Sequence, residues 1–498
     1  MLRSRLALPL LVLATACGGP AATIVTTPSP DAGTNTGARR NRALQAIVDS
    51  IGGAPLWASA QWGVLIVDPQ SGDTLAERNS GKLFMPASNQ KVLTAALALA
   101  TMEPDFRWQT TVAATGAVSG GTLKGDLVVI GRGDPTWSQA TWGDAGAPLR
   151  ALADSIAARG VRRIEGQVRT DGSAFPGSPI GFGWDWDDLM LPFGAGVGAL
   201  LWNDGAAAVR LVACGKPEAC VSGAPFGDVP RIRGTVLVKD DAPRGGDGVR
   251  WWRDSSPQFT LVVDGAIGPK DSVTIEFAQR HPTEAFREAL VAALAERGVT
   301  VDGKGGRGGT RRTLFTWRSR TTLGGSLAHM LKASQNQWAE ATWRTVALET
   351  AGSGSETAAR GASDKWLKGL GAAANHYVVV DGSGLSRHGY VTPALMVRVL
   401  ASVRAGPRWA LFKESLPVMG VDGTLASRGR GTALVGNVRA KTGTVDKARN
   451  LTGVLQLGGG RELLFSILAN NFTATTRDVD RAAELILLRA RQLGSVVQ

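Results

Sequence analysis

Two groups of apolar strand segments stand at opposite ends of this chain, and neither is stable alone. GVLIVD (63–68) and TLAERN (74–79) flank the turn PQSGD and read as a hairpin. NVRAKTGT, NLTGVLQL and ELLFSILAN read as three strands near the C-terminus, followed by a helix at about 476–493. An isolated hairpin leaves its apolar face in water, so the two groups are expected to pair in one antiparallel sheet. The middle of the chain must then loop out and return. From about residue 105 the texture changes to short strands and frequent turns: WQTTVAATG, TLKGDLVVIGRGDP, RRIEGQVRTDG. A further β-rich patch spans roughly 207–265, EAFREALVAALAERG (284–298) is an amphipathic helix, and from about 313 the chain is helical again, with SLAHMLKASQNQWAEATWRTVALE at 326–349. At 498 residues the chain exceeds what one core usually holds, so two or three domains are expected. No internal repeat is visible.

The N-terminus bears on compartment. MLRSRLALPLLVLATAC carries Arg3 and Arg5, an apolar run Leu6–Leu13 and then small residues, the pattern of a secretory signal. The run is too short to span a membrane as a helix. Ala14-Thr15-Ala16 suits ordinary cleavage, and Cys17 follows at once. That placement also resembles a bacterial lipoprotein signal, in which the cysteine is lipidated, although Leu13 sits one place earlier than the leucine of that pattern. Residues 18–40 are small, polar and Pro/Gly-rich, as in a flexible tether. Cys214 and Cys220, in CGKPEAC, are spaced to close a small disulfide loop in an oxidising compartment, which leaves Cys17 odd. The alternative is three free thiols.

Within MPASNQKVLTAALAL (85–99), Ser88 and Lys91 lie three residues apart at the start of an apolar helix, on one face. Pro86 suits the first turn, and the residues that follow are apolar nearly all round, as in a helix buried on every side. A hydroxyl beside a lysine is either an activated nucleophile or a helix cap followed by a surface lysine. The pair alone favours the second reading. Two further motifs change the balance. Ser334-Gln335-Asn336 is the chain's one S-x-N after its one S-x-x-K, and Lys441-Thr442-Gly443 is its one K-T-G, in that order. The first lies at an expected break between helices, the second in an expected strand.

With these motifs the chain resembles the class C low-molecular-mass penicillin-binding proteins, the D-alanyl-D-alanine carboxypeptidase/endopeptidases. The resemblance covers about residues 40–490 and extends to GDLVVIGRGDP, RIEGQVRTDGSAF, GWDWDDL, DGSGLSR (381–387) and GVDGTL (420–425). It implies an α+β fold: a β-lactamase/transpeptidase-like domain, an antiparallel sheet covered by helices, with two nested, β-rich inserted domains. The expected segments are a signal at 1–17, a tether at 18–40, the catalytic domain at 41–104 and 313–498, one insertion at 105–206 and 266–312, and the other at 207–265.

By the same resemblance Ser88 is the acylated nucleophile, Lys91 its general base, Ser334 a proton relay to the leaving amine, and Asn336 the group that orients the substrate amide. Lys441 and Thr442 bind the terminal carboxylate, and the N–H groups of Ser88 and Thr444 form the oxyanion hole. Physical chemistry agrees with these roles. A lysine acts as a base near neutral pH only if burial and a second cation, here Lys441, depress its pKa. Gly443 lets the strand backbone approach the substrate, and two backbone N–H groups stabilise the developing oxyanion. Asp188 matches an inserted-domain acid that meets the free amine of a diamino-acid side chain, with Asp187 beside it as the alternative and a solvated loop carboxylate as the plain reading. One departure is Gly389, where the family usually has asparagine.

Other classes fit less well. Only His281, His329, His376 and His388 exist, and no serine sits in G-x-S-x-G, so a histidine-based hydrolase is disfavoured. Metal-binding patterns are missing, and neither metal nor organic cofactor is implied. A β-lactamase-like hydrolase would share the motifs but has no use for a large insertion. A catalytically silent wall-binding protein would not need Ser88, Lys91, Ser334 and Lys441 together. The net charge of +13 is the only feature that suits nucleic acid, and it suits anionic wall polymers equally. The sequence therefore points to a serine-type carboxypeptidase of the periplasm or cell envelope. Its partners would be peptidoglycan peptides and β-lactams. The resemblance also allows cleavage of D-alanyl cross-links, and a lipid on Cys17 would be the sole membrane contact.

Overall fold

The computed structural model describes residues 32–222, 231–254, 260–279, 281–304 and 309–494. The expected signal, including Cys17, and most of the expected tether lie outside the described residues.

The two ends of the chain do share a sheet. Its strand order is Val438–Val445, Ala448–Gln456, Glu462–Asn470, Gln61–Val67, Thr74–Arg78, antiparallel throughout. Gln61 pairs with Asn470 and Val67 with Leu464, so the N-terminal hairpin is locked onto the last strand in unbroken register. Alternation then divides the side chains. Leu65, Leu464 and Leu468 pack with Leu93, Leu97 and Leu395 on one face, whereas Val64, Ile66, Phe465 and Ile467 pack with Leu44, Val48, Ile486 and Leu487 on the other. Helices Ala32–Gly52 and Thr476–Gly494 cover the second face. Helices Gln90–Thr101, Leu323–Lys332, Asn336–Ala351 and Pro393–Ala405 cover the first. Glu462–Asn470 is buried at every residue, as a strand sandwiched between helix layers must be.

Between Thr101 and Leu323 the chain forms separate small sheets. Arg312–Arg318, Gln109–Ala114, Leu127–Ile130 and Val168–Asp171 make one, and helices Ala147–Ala157 and Pro282–Glu296 share its core, which includes Val112, Leu149, Ile156, Phe286 and Leu290. Two three-stranded sheets, Cys220–Ser222/Ala206–Val212/Ser272–Ala278 and Arg231–Val238/Thr260–Ile267/Val249–Arg253, enclose another core around Val209, Val236, Leu261 and Phe277. Cys214 and Cys220 are joined by a disulfide at the edge of the former.

Strand pairing crosses two of the expected edges, and a helix crosses a third. Arg312–Arg318, at the expected edge at 312, pairs with Gln109–Ala114. Ala206–Val212 pairs with Ser272–Ala278, on the far side of the expected edge at 265. Residues 32–40, expected in the tether, begin helix Ala32–Gly52, because the packed turns around Leu44 and Val48 let the helix propagate backwards. Among the described residues no helix is long and apolar enough to cross a membrane.

Candidate active site

Ser88 sits in a short 3₁₀ turn, Ala87–Asn89, and the α-helix proper starts at Gln90. The turn is held tightly from two sides. Ala87 has φ +47°, and Gly384 approaches so closely that a Cβ there would lie 1.8 Å from the Ala87 carbonyl oxygen. Gly443 approaches from the edge strand, where a Cβ would come within 2.4 Å of the Pro86 carbonyl oxygen. Both contacts require glycine, and both hold the turn that carries Ser88.

Lys91 lies one turn further along, fully buried. Its Nζ reaches Ser88 Oγ at 2.9 Å and donates to Asn336 Oδ1 at 2.6 Å and to the Ser383 carbonyl at 2.8 Å. Burial lowers its pKa from the ordinary lysine value to about 7, against the opposing pull of Asp381 and Glu340. The direction is the expected one, and burial is its first cause. Lys441 is depressed likewise, where burial, Lys91 and Arg449 together push the pKa well below the usual range.

Ser334 occupies the break between helices Leu323–Lys332 and Asn336–Ala351. Its φ of +60° turns the chain sharply, and Gln335 caps the second helix by accepting from Gln337 N–H. Lys441 Nζ donates to Ser334 Oγ at 2.9 Å and to the Thr442 carbonyl at 2.8 Å. Asn336 is fixed in turn, its Nδ2 donating to the Phe193 carbonyl at 2.8 Å. Two hydroxyl–lysine pairs therefore meet at one place, and Asn336 touches the first of them.

Lys441 and Thr442 lie on the edge strand Val438–Val445 of the main sheet. Thr442 Oγ1 contacts Thr424 Oγ1 at 2.7 Å, which brings GVDGTL to the site. Thr444 accepts from Arg449, itself paired with Asp480. An edge strand leaves alternate backbone groups without a sheet partner, which suits a substrate that lies alongside.

A cleft of about 720 Å³ opens on these groups, lined by Ser88, Ser334, Asn336, Thr444, Asp188 and Arg387 among others. Asp188 thus reaches the cleft, from the 3₁₀ turn Trp186–Met190, while Asp187 is exposed. Asp188 is not a free carboxylate. It accepts from Arg387 at 3.1 Å, and its pKa lies above the ordinary value because partial burial outweighs the guanidinium. At Gly389 a Cβ would meet nothing closer than 3.7 Å, so packing does not forbid the family's asparagine there.

Sequence reasoning overlooked Glu340, Asp381, Thr424 and Arg449. Asp381 and Thr424 stand in the stretches DGSGLSR and GVDGTL, which were singled out without a role for either residue. Glu340 and Arg449 carried no signal beyond residue type.

The family model for the D-Ala-D-Ala carboxypeptidase 3 (S13) family matches residues 44–492. A D-alanyl-D-alanine carboxypeptidase of an Actinomadura species is 32% identical over 469 residues, covering 89% of this chain and 83% of the relative. A D-alanyl-D-alanine carboxypeptidase DacB of Haemophilus influenzae is 27% identical over 407 residues, 80% of this chain and 83% of its own. The crystal structure of penicillin binding protein 4 (dacB) from Haemophilus influenzae superposes with a TM-score of 0.74 at 26% identity, over 90% of this chain and 98% of that one.

Proposed function

The chain belongs to the D-Ala-D-Ala carboxypeptidase 3 (S13) family, and from that premise we infer that it is a penicillin-binding, serine-type D-Ala-D-Ala carboxypeptidase working through an acyl-enzyme on Ser88. The observation that carries the mechanism is the meeting of two hydroxyl–lysine pairs in one cleft, Ser88 with Lys91 and Ser334 with Lys441.

The chemistry follows from this geometry. With a pKa near 7, Lys91 is substantially neutral at physiological pH and accepts the Ser88 proton as Oγ attacks the penultimate D-alanine carbonyl. The N–H groups of Ser88 and Thr444 receive the oxyanion. Ser334, held by Lys441, passes a proton to the leaving amine and regains one from Lys91, so that D-alanine departs as the acyl-enzyme forms and Lys91 is neutral again. Water then attacks the ester, Lys91 takes its proton, and that proton returns to Ser88 Oγ as the acyl group leaves. Asn336 orients the acyl-side amide, and Gly443 keeps the strand close. Lys441 and Thr442 bind the terminal carboxylate; an arriving anion favours the protonated form of a lysine whose pKa burial lowers. Asp188 receives the amine of the peptide's diamino-acid side chain.

The D-alanyl-D-alanine carboxypeptidase names of the family and the relatives support a cell-wall peptide as the substrate. The signal-like N-terminus extends this to secretion across the inner membrane, with Cys17 lipidated and the chain in the periplasm or cell envelope. Mass spectrometry of the mature protein tests the anchor: a diacylglyceryl group on an N-terminal Cys17 supports it, and an unmodified N-terminus there overturns it.

The mechanism is tested with a fluorescent penicillin followed by peptide mapping. The adduct is expected on Ser88, and Ser88→Ala abolishes labelling while the fold remains. An adduct on Ser334, or undiminished labelling of the variant, would sink the assignment.

A further inference from the structure

Behind the nucleophile lies a pair of buried carboxylates that the mechanism above does not use. Glu340 follows Asn336 by four residues on helix Asn336–Ala351, hence on the same face, and is 2% exposed. Its Oε1 accepts the N–H groups of Gly382 at 2.9 Å and Ser383 at 2.7 Å. Asp381, on the opposite side of the same turn, accepts from Gly384 N–H at 2.8 Å, Ser386 N–H at 2.7 Å and Trp184 Nε1 at 3.1 Å. The turn is thus gripped by two acids, and the Ser383 carbonyl that emerges from it takes the Lys91 ammonium. Gly382 permits the approach: a Cβ there would lie 2.6 Å from Trp343 Cβ and 2.9 Å from the Ala339 carbonyl oxygen.

An acid in a dry interior is costly, and capping two N–H groups does not require one, since an amide oxygen accepts equally well. We propose that Glu340 is a positioning residue for Lys91: its carboxylate fixes the Ser383 carbonyl on the lysine Nζ, and its charge sets the pH at which the lysine releases its proton. The proposal rests on the reading of Lys91 as the general base.

The charged groups around this assembly agree with it. Glu340 faces Asp381 on the turn and Arg344 on its own helix. Lys91 faces Asp381 and Glu340, and Lys441 faces Lys91 and Arg449. Burial, with Asp381 adding to it, pushes Glu340 up to about 7, the range to which burial brings Lys91. The sign follows: a charged Glu340 favours Lys91 protonated, so neutralising position 340 lowers the lysine pKa and brings the base into play at lower pH.

Glu340→Gln keeps an oxygen for both N–H groups and removes the charge. The second-order rate constant for acylation by penicillin, measured against pH, is expected to rise at a pH lower than in the wild type by about one unit, since a near charge moves a pKa by roughly 1–3 units and Asp381 remains. Glu340→Ala, which also releases the Ser383 carbonyl, lowers the rate at every pH. A Glu340→Gln profile that superimposes on the wild type, or moves to higher pH, overturns the proposal. If that variant does not fold, carboxyl-carbon NMR of glutamate-labelled wild-type protein decides: one carboxyl titrating near neutrality supports the proposal, and none outside the ordinary carboxylate range overturns it. Failure of the base reading looks different, for then Lys91→Met acylates at the wild-type rate.

Discussion

The central sheet region and the inserted region treat charge in opposite ways. Around Ser88 the ionisable groups Lys91, Lys441, Glu340 and Asp381 are all buried, and each makes at least two hydrogen bonds with protein atoms. In the insertion most charged pairs lie at the rim, as in Arg250–Asp264, where the side chains are 78% and 51% exposed, and Arg163–Asp302, at 50% and 18%. Asp126 and Asp134 are exceptions, buried where Asp126 accepts the Gln167 N–H and Asp134 the Thr136 N–H of its own turn. Interior charge destabilises a fold, so it persists where chemistry uses it and where a sheet packed on both faces can carry the cost. The insertion has only to fold and to shape the cleft wall, and its surface pairs contribute little.

The contrast is most open to attack where the packing is closest. Gly443→Ala should lower penicillin acylation on the order of a hundredfold, because the new Cβ would meet the Pro86 carbonyl at 2.4 Å and Asn89 Nδ2 at 2.7 Å and displace the nucleophile. A variant that acylates normally would mean the strand's approach is not what positions Ser88. Next in size is the substrate's own charge. Peptides amidated at the C-terminus should lose roughly 1.5–3 kcal/mol of transition-state binding, about ten- to a hundredfold in kcat/KM, through loss of a charge-assisted pair with Lys441. Equal turnover of amidated and free peptides removes Lys441 from that role.

Asp188 tests where the two regions meet, since it comes from the insertion yet lines the cleft. Its contact with Arg387 at 3.1 Å means an incoming amine must share the carboxylate with a guanidinium. Asp188→Asn should therefore reduce kcat/KM only about two- to fivefold for peptides bearing the amine, and leave acetylated analogues unchanged. Equal losses on both substrates would make the residue structural. The smallest effect is expected in the insertion itself. Arg250→Ala should change stability by less than about 0.5 kcal/mol, read from a urea midpoint, and leave acylation alone. A larger change would show that the rim pairs matter more than their exposure implies.

The same contrast explains what could be read from the sequence. That Ser88, Lys91, Ser334, Asn336 and Lys441 come together could be expected because S-x-x-K, S-x-N and K-T-G are local spacings, which survive in one dimension. Glu340 could not, because its partners are the N–H groups of Gly382 and Ser383, more than forty residues on. The pairings that reach residues 318 and 278 depend on which strand meets which, and neither Gln109–Ala114 nor Ala206–Val212 announces its partner in its own residues. The sheet of the two chain ends was legible for a simpler reason: apolar faces that cannot be covered locally must be covered by each other.

That sheet has a consequence for the order of events in a growing chain. Ser88 and Lys91 are synthesised early, but the strand carrying Lys441, and Glu462–Asn470 onto which the N-terminal hairpin docks, come from the last stretch of the protein. A nascent or truncated chain has Ser88 without the edge strand that borders it. The cleft is therefore complete only once the strand carrying Lys441 has paired into the sheet. Penicillin itself reports the moment of completion.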